Sequence, residues 1–272
     1  MFRALLTLLL LCSSLRALNF TVGSYSNYYS DYPSRAGWGP YAEARIKASA
    51  DVTMRSRFTR AQNYVVFDGS ESITYLENNE LELGALYNIS RKATVSFDLR
   101  GGMGSSNTRL LAASTGLEYF FANDIMLFTY INATRETYEV NELAIENDYI
   151  IGTLGFAPML SRNLELILKS DVNTSKYSTS STNENAVYLT LGANYYQTNW
   201  LYYGLEIRGA SDLGDYRAMG GGANAGLLLW SRLRLTLNYH YLFNREVSTI
   251  DGVSTSESFN SHMAFADLSL SF

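Results

Sequence analysis

Hydrophobic and polar residues alternate one for one along most of this chain. The clearest stretch sets Leu81, Leu83, Ala85, Tyr87 and Ile89 on one parity, with Glu82 and Asn88 on the other. After Ser90-Arg91-Lys92 the alternation resumes, with Ala93, Val95, Phe97 and Leu99 against Thr94, Ser96, Asp98 and Arg100. Successive side chains of a strand point to opposite faces, so each segment carries one apolar and one polar face. The same unit returns around Ser161-Arg162-Asn163, Gln197-Thr198-Asn199 and Trp230-Ser231-Arg232. No apolar period of helical length interrupts it.

The pattern predicts strands over 18–29, 38–48, 52–67, 72–89, 92–101, 108–121, 125–135, 147–157, 164–173, 186–196, 200–210, 217–229, 233–244 and 259–272. That makes fourteen. Alternation runs unbroken from Ala42 to Phe58, so reading Ser49-Ala50-Asp51 as mid-strand rather than turn would make twelve. The segment Leu18 to Tyr41, rich in Tyr and Ser, is open to a second reading as a periplasmic or plug-like extension. Three-residue turns alternate with longer polar stretches at 136–146, 174–185 and 245–258, the asymmetry of periplasmic turns and extracellular loops. Strands of about ten residues cross a hydrocarbon core when tilted.

Composition agrees with strands. Hydrophobic residues make up 47% of the 272, yet mean hydropathy is only -0.09, as alternation averages out. Tyrosine is abundant at 21, proline scarce at 3 and glycine 20, a mixture suited to pleated strands and aromatic belts. A formal charge of -5 without a Lys/Arg cluster argues against nucleic acid as partner, and no zinc-type Cys/His spacing occurs. Residues 1–17 carry Arg3, the apolar run Leu5 to Leu11 and small residues beyond, the layout of a secretory signal peptide too short to span a bilayer. Cleavage after Ala17 is expected, with Ser14 as the other candidate. The one cysteine, Cys12, lies inside this segment and follows Leu11, where a lipoprotein signal wants a small residue.

Alternation alone does not say which face is outside. A soluble β-sandwich or lipocalin-like barrel would turn the apolar face inward. The signal layout and the aromatics near strand ends, Tyr87, Tyr119, Phe156, Tyr195 and Trp230, favour an all-β, single-chain antiparallel transmembrane β-barrel over 18–272. The last strand, Ala264-Phe265-Ala266-Asp267-Leu268-Ser269-Leu270-Ser271-Phe272, resembles the C-terminal assembly signal of bacterial outer-membrane proteins. The resemblance implies that Leu268, Leu270 and Phe272 are read by the barrel-assembly machinery, and that the chain passes through the periplasm to a Gram-negative outer membrane. In size and strand number the chain is similar to monomeric porins, by pattern only.

With the apolar parity facing lipid, the lumen receives Arg45, Lys47, Arg55, Arg57, Lys92, Arg100, Lys169, Arg208 and Arg234, nine bases. Against them stand nine acids, Glu43, Glu80, Glu82, Asp98, Glu118, Glu165, Asp171, Glu206 and Asp267. His240 shares that face. Such a lining passes ions and small hydrophilic solutes with weak selectivity, or closes itself with ion pairs. Bases gather on the second and third strands opposite Glu80 and Glu82, which gives either a transverse field or wall-holding salt bridges. On 125–135, the set Met126, Phe128 and Tyr130 competes with Ile125, Leu127 and Ile131, so one aromatic set points inward and would narrow the pore. Gly220-Gly221-Gly222 marks a thin wall or a close side-chain approach.

The outer stretches carry Glu136, Glu139, Glu142, Glu146, Asp212, Asp215, Asp251 and Glu257, suited to cations at the mouth or to divalent bridges to lipopolysaccharide. A porin-like channel is therefore the expected function, as a monomer or small homo-oligomer in contact with bilayer lipid and lipopolysaccharide. A closed structural or adhesion barrel is the alternative. An outer-membrane hydrolase is the third class, but only His240 and His262 are available and neither has Ser two residues on. No catalytic residue, cofactor or metal site is assigned.

Overall fold

In a computed structural model, which describes residues 18–29, 37–66, 73–105, 107–122, 125–140, 143–178, 184–212, 216–250 and 253–271, the alternation becomes fourteen strands. They are β1 (Leu18–Tyr29), β2 (Gly37–Lys47), β3 (Val52–Val66), β4 (Ile73–Ser90), β5 (Ala93–Gly104), β6 (Arg109–Ala122) and β7 (Ile125–Val140), followed by β8 (Leu143–Ser161), β9 (Leu164–Tyr177), β10 (Glu184–Tyr196), β11 (Leu201–Ser211), β12 (Tyr216–Trp230), β13 (Leu233–Ile250) and β14 (Val253–Ser271). Each pairs antiparallel with its neighbours in the chain, and β1 pairs with β14, so the sheet closes on itself. The proposed signal segment, Cys12 and Phe272 lie outside the described residues.

The twelve-strand alternative fails at Ser49. Its Oγ accepts hydrogen bonds from the backbone N–H groups of Asp51 and Val52 at 3.3 and 3.1 Å, and the Ala48 and Ser49 N–H groups donate to the Val52 carbonyl, closing a tight turn. Leu18 to Tyr41 supplies β1 and the start of β2 rather than a plug. With β1 paired to β14 on one side and β2 on the other, no described strand is left with an open edge.

Two of the three long polar stretches, 136–146 and 245–258, turn out to be mostly strand, and 174–185 is strand at both ends. β7 runs to Val140 and β8 begins at Leu143; β9 runs to Tyr177 and β10 begins at Glu184; β13 runs to Ile250 and β14 begins at Val253. Pairing continues because backbone groups still bond across the hairpin, whereas the apolar alternation stops where both faces meet water. Composition there reads as loop although the backbone is ladder. Of the acids assigned to loops, Glu136 and Glu139 lie on β7 and Glu146 on β8, while Asp212 accepts a hydrogen bond from the Tyr216 N–H at 3.0 Å between β11 and β12. Glu257 falls on β14, and Glu142, Asp215 and Asp251 lie outside the described residues.

Curvature sorts the two parities. Leu205, Ile207, Leu189 and Met219 are 69, 64, 62 and 72% exposed on the convex side, whereas Glu43, Asp98 and Thr190 on the opposite parity are buried. At the short-turn end the convex side carries exposed aromatics, among them Tyr87, Phe121, Tyr195, Trp200 and Trp230. Towards the long-hairpin end the apolar parity gives way to charge. Arg60, Arg109, Arg135, Lys176, Arg217 and Arg245 project there, with the pairs Arg60–Glu77 at 3.0 Å and Arg135–Asp148 at 2.7 Å. An apolar belt thus lies between an aromatic rim and a charged collar.

Candidate functional site: the inner wall of the barrel

The concave side holds most of the charged residues expected there, and it holds them in pairs. Arg55 on β3 contacts Glu82 on β4 at 2.9 Å and Asp98 on β5 at 2.7 Å. Arg100 reaches Glu80 at 3.5 Å, and Asn78 donates to the same carboxylate at 3.0 Å. Three pairs join residues two apart on one strand: Arg45 with Glu43, Lys169 with Asp171 at 2.8 Å, and Arg208 with Glu206 at 3.4 Å. Glu165 accepts from Asn194 and Tyr196, both at 2.9 Å, Glu118 accepts from the Tyr130 hydroxyl, and Arg57 lies 3.8 Å over the Tyr41 ring. Of the bases on β2 and β3, Arg45 meets Glu43 and Arg55 meets Glu82 and Asp98, whereas Arg57 faces the Tyr41 ring and Glu80 is met by Arg100 of β5, so the charge imbalance read from the sequence is met in part.

Three expected lining residues stand apart. Lys92 sits with Arg91 in the two-residue turn between β4 and β5, exposed, because β5 begins at Ala93 and not at 92. Lys47 ends β2 and Arg234 is the second residue of β13; both are exposed at the short-turn rim, below the paired charges.

Glycine makes the longer pairings geometrically possible. Gly84 lies in register between Arg55 and Asp98, two strands apart, and a Cβ at Gly84 would collide with the Asp98 carboxylate. Neighbouring strands are about 4.8 Å apart, so partners two strands apart meet only over a residue with no side chain. The arrangement recurs three times. Over Gly23 the Tyr41 hydroxyl donates to Asp267; over Gly204 Asn224 donates to Asn194 at 3.3 Å; over Gly222 His240 Nδ1 lies 2.9 Å from Glu206. The Gly220-Gly221-Gly222 run thus includes the close approach expected of it, with His240 edge-on to Phe265 at 6.2 Å.

Glycine also receives the inward aromatics. Tyr25 opposes Gly39, Tyr41 opposes Gly23, Tyr130 opposes Gly116, Phe128 opposes Gly155 and Tyr202 opposes Gly226, and in each pair a Cβ on the glycine would strike the ring. Phe128 and Tyr130 are therefore the inward set of β7, with Ile131 outward, and they lie against the wall beside their glycines rather than across the opening. Tyr25, Arg57, Thr59, Glu80, Glu82 and Arg100 converge from β1, β3, β4 and β5 on a polar recess of about 200 Å³. The sequence reading did not assign Tyr25, Tyr41, Tyr202, Asn194, Asn224 or Phe265 to the lumen. Their parity matches that of the charges, but only the register shows that Tyr25, Tyr41 and Tyr202 face glycines.

At the seam, Leu268 is outward and 38% exposed and Leu270 half-buried, on the parity expected of the assembly strand.

Several solved barrels superpose on this chain. A monoaromatic hydrocarbon channel, CymD, aligns with a TM-score of 0.66 and 9% identity over 96% of this chain and 90% of its own. The toluene transporter TodX of P. putida gives 0.59 and 12% over 94 and 89%, and a Pseudomonas aeruginosa FadL homologue 0.53 and 10% over 94 and 89%. At such identities the likeness is one of fold, and the fold is that of Gram-negative outer-membrane barrels. No family model matches the sequence, and no curated protein matches it.

The Gly84 bridge has a direct test. Gly84→Ala separates Arg55 from Asp98 and is expected to lower unfolding free energy by about 2–4 kcal/mol, since the buried Asp98 loses its ion pair while Arg55 keeps Glu82. Gly152→Ala, where an added Cβ meets nothing within 4 Å, is the matched control and is expected to be neutral or slightly stabilising. Urea titration of the refolded barrel, followed by the mobility of folded and unfolded protein on unheated gels, measures both. In the same assay a double-mutant cycle on Arg55→Met and Asp98→Asn is expected to give about 1–3 kcal/mol of coupling. The exposed Arg60–Glu77 pair should give under about 1 kcal/mol.

Proposed function

We propose that this protein is a passive channel of the Gram-negative outer membrane. The observation that carries the reading is the partition of side chains around a closed sheet: an apolar belt on the convex face and an ion-paired, tyrosine-rich wall on the concave one. In hydrocarbon a closed sheet leaves no backbone group unpaired, and the polar parity then encloses a lumen. The chain reaches that membrane through the periplasm, with the β14 parity of Leu268 and Leu270 read by the assembly machinery.

The cargo we propose is small, uncharged and weakly polar, including aromatic molecules. Many lumenal charges are engaged with one another and others with tyrosine or asparagine, while Tyr25, Phe128, Tyr202 and Phe265 present ring surface along the wall. That CymD is a monoaromatic hydrocarbon channel and TodX a toluene transporter supports this cargo. A second reading, diffusion of ions and small hydrophilic solutes with weak selectivity, is favoured by the polar recess at Arg57, Glu80 and Arg100.

Two measurements separate these readings. In cells with an intact outer membrane, expression is expected to accelerate uptake of a dilute labelled monoaromatic compound; in proteoliposomes, swelling with a small sugar and single-channel steps in a planar bilayer report the hydrophilic route. Aromatic uptake with weak sugar swelling supports the first cargo, and the reverse supports the second. An inserted barrel that does neither overturns the channel. The belt itself is tested by Leu205→Arg, expected to cost about 2–4 kcal/mol in phospholipid vesicles, against under about 1 kcal/mol for Thr137→Arg beyond the belt. Equal costs would place the belt outside any bilayer.

A further inference from the structure

On the convex face of β12 and β13, Arg217 and Arg245 stand directly opposite each other at the edge of the charged collar. Both are exposed, and among the described residues neither has a carboxylate within ion-pairing distance; Arg245 donates from Nε to Ser256 at 3.0 Å. Like charges directly opposite on a sheet repel and destabilise the pair. Elsewhere on the collar Arg60 meets Glu77, and Arg135 meets Asp148. The β12–β13 pair is therefore built differently from its neighbours.

Below these arginines the convex face carries a shallow apolar depression. A groove of about 1330 Å³ crosses β7 to β13, lined by Leu127, Leu154, Leu189, Ile207, Met219 and Phe243, with Arg217 and Arg245 on its edge. Met219 and Phe243 are the next outward residues below the two arginines, a spacing of about 7 Å along the strand. Two guanidinium groups thus stand one pleat above an apolar trough. Guanidinium binds phosphate through paired N–H donors, and two opposed arginines suit a phosphate that neutralises both.

We infer that Arg217, Arg245 and the groove beneath them form a binding site for a phosphorylated, multiply acylated glycolipid of the outer leaflet, the lipid A portion of lipopolysaccharide. The phosphate bridges the arginines and acyl chains fill the groove. The inference rests on the outer-membrane reading, because it places the long-hairpin end in the outer leaflet. It adds what that reading lacks, a fixed lipid at a named pair of residues.

The test uses the refolded barrel in detergent, titrated with purified lipid A, with dephosphorylated lipid A as comparator and binding followed by native mass spectrometry. Saturable binding of the phosphorylated form is expected, weakened at least about tenfold by R217Q/R245Q. The control R60Q/R109Q, which removes two other collar arginines, is expected to leave affinity unchanged. Should the glutamine variant not fold, R217K/R245K carries the test: it keeps both charges, loses the paired donors and is expected to bind several-fold more weakly than wild type. Equal affinity for the two lipid forms, or unchanged affinity in whichever arginine variant folds, overturns the proposal. So does a barrel that binds no lipid A but self-associates in detergent through cross-links at Met219, which would assign the groove to a second copy. Conductance and the Leu205→Arg cost are read separately, so this site can fail while the channel reading stands.

Discussion

Closing a sheet on itself gives the inward side chains only one another and enclosed water as partners, and the remaining features of this barrel follow from how that constraint is met. A charged group on the concave wall reaches the strand beside it easily and the strand beyond it only over a glycine. Arg55 reaches Asp98 over Gly84, Tyr41 reaches Asp267 over Gly23, and Glu206 reaches His240 over Gly222. Each bridge ties three strands together on the lumenal side. The Gly23 bridge joins β14 to β2 across β1, on the seam where the first and last strands must meet. A glycine in a strand weakens it locally, and here the loss is offset by a contact that no other residue would permit.

The same arrangement shapes the opening. Charges that engage their neighbours lie along the wall, and rings seated against glycines do likewise. Arg55, Glu82 and Asp98 form one cluster, and Lys169, Asp171 and Thr153 another, the Thr153 hydroxyl donating to Asp171 at 2.6 Å. A lining of this kind carries many charges and a weak net field, so polarity of the wall and selectivity among ions are separate properties. On the convex side charged groups are confined to the ends, where the collar pairs Arg60 with Glu77 and Arg135 with Asp148 and leaves Arg217 facing Arg245.

Alternation with period two made fourteen strands, their antiparallel order and the division into one apolar and one charged parity legible from the residues, because a pleated strand leaves no other way to sort apolar from charged side chains. It placed β1 at 18–29 and set most of the charged residues on the concave parity. It failed at the hairpin ends, 136–146 and 245–258, where water on both faces removes the reason for alternation while the backbone ladder continues. It also put Lys92 on a strand where the chain makes a two-residue turn. What tertiary structure alone decided is register. Which tyrosine opposes which glycine, that Arg55 reaches Asp98 across β4, and that Arg217 opposes Arg245 depend on alignments between strands. Parity is a property of one strand and can be read along the chain, whereas a partner two strands away is fixed only when the sheet closes.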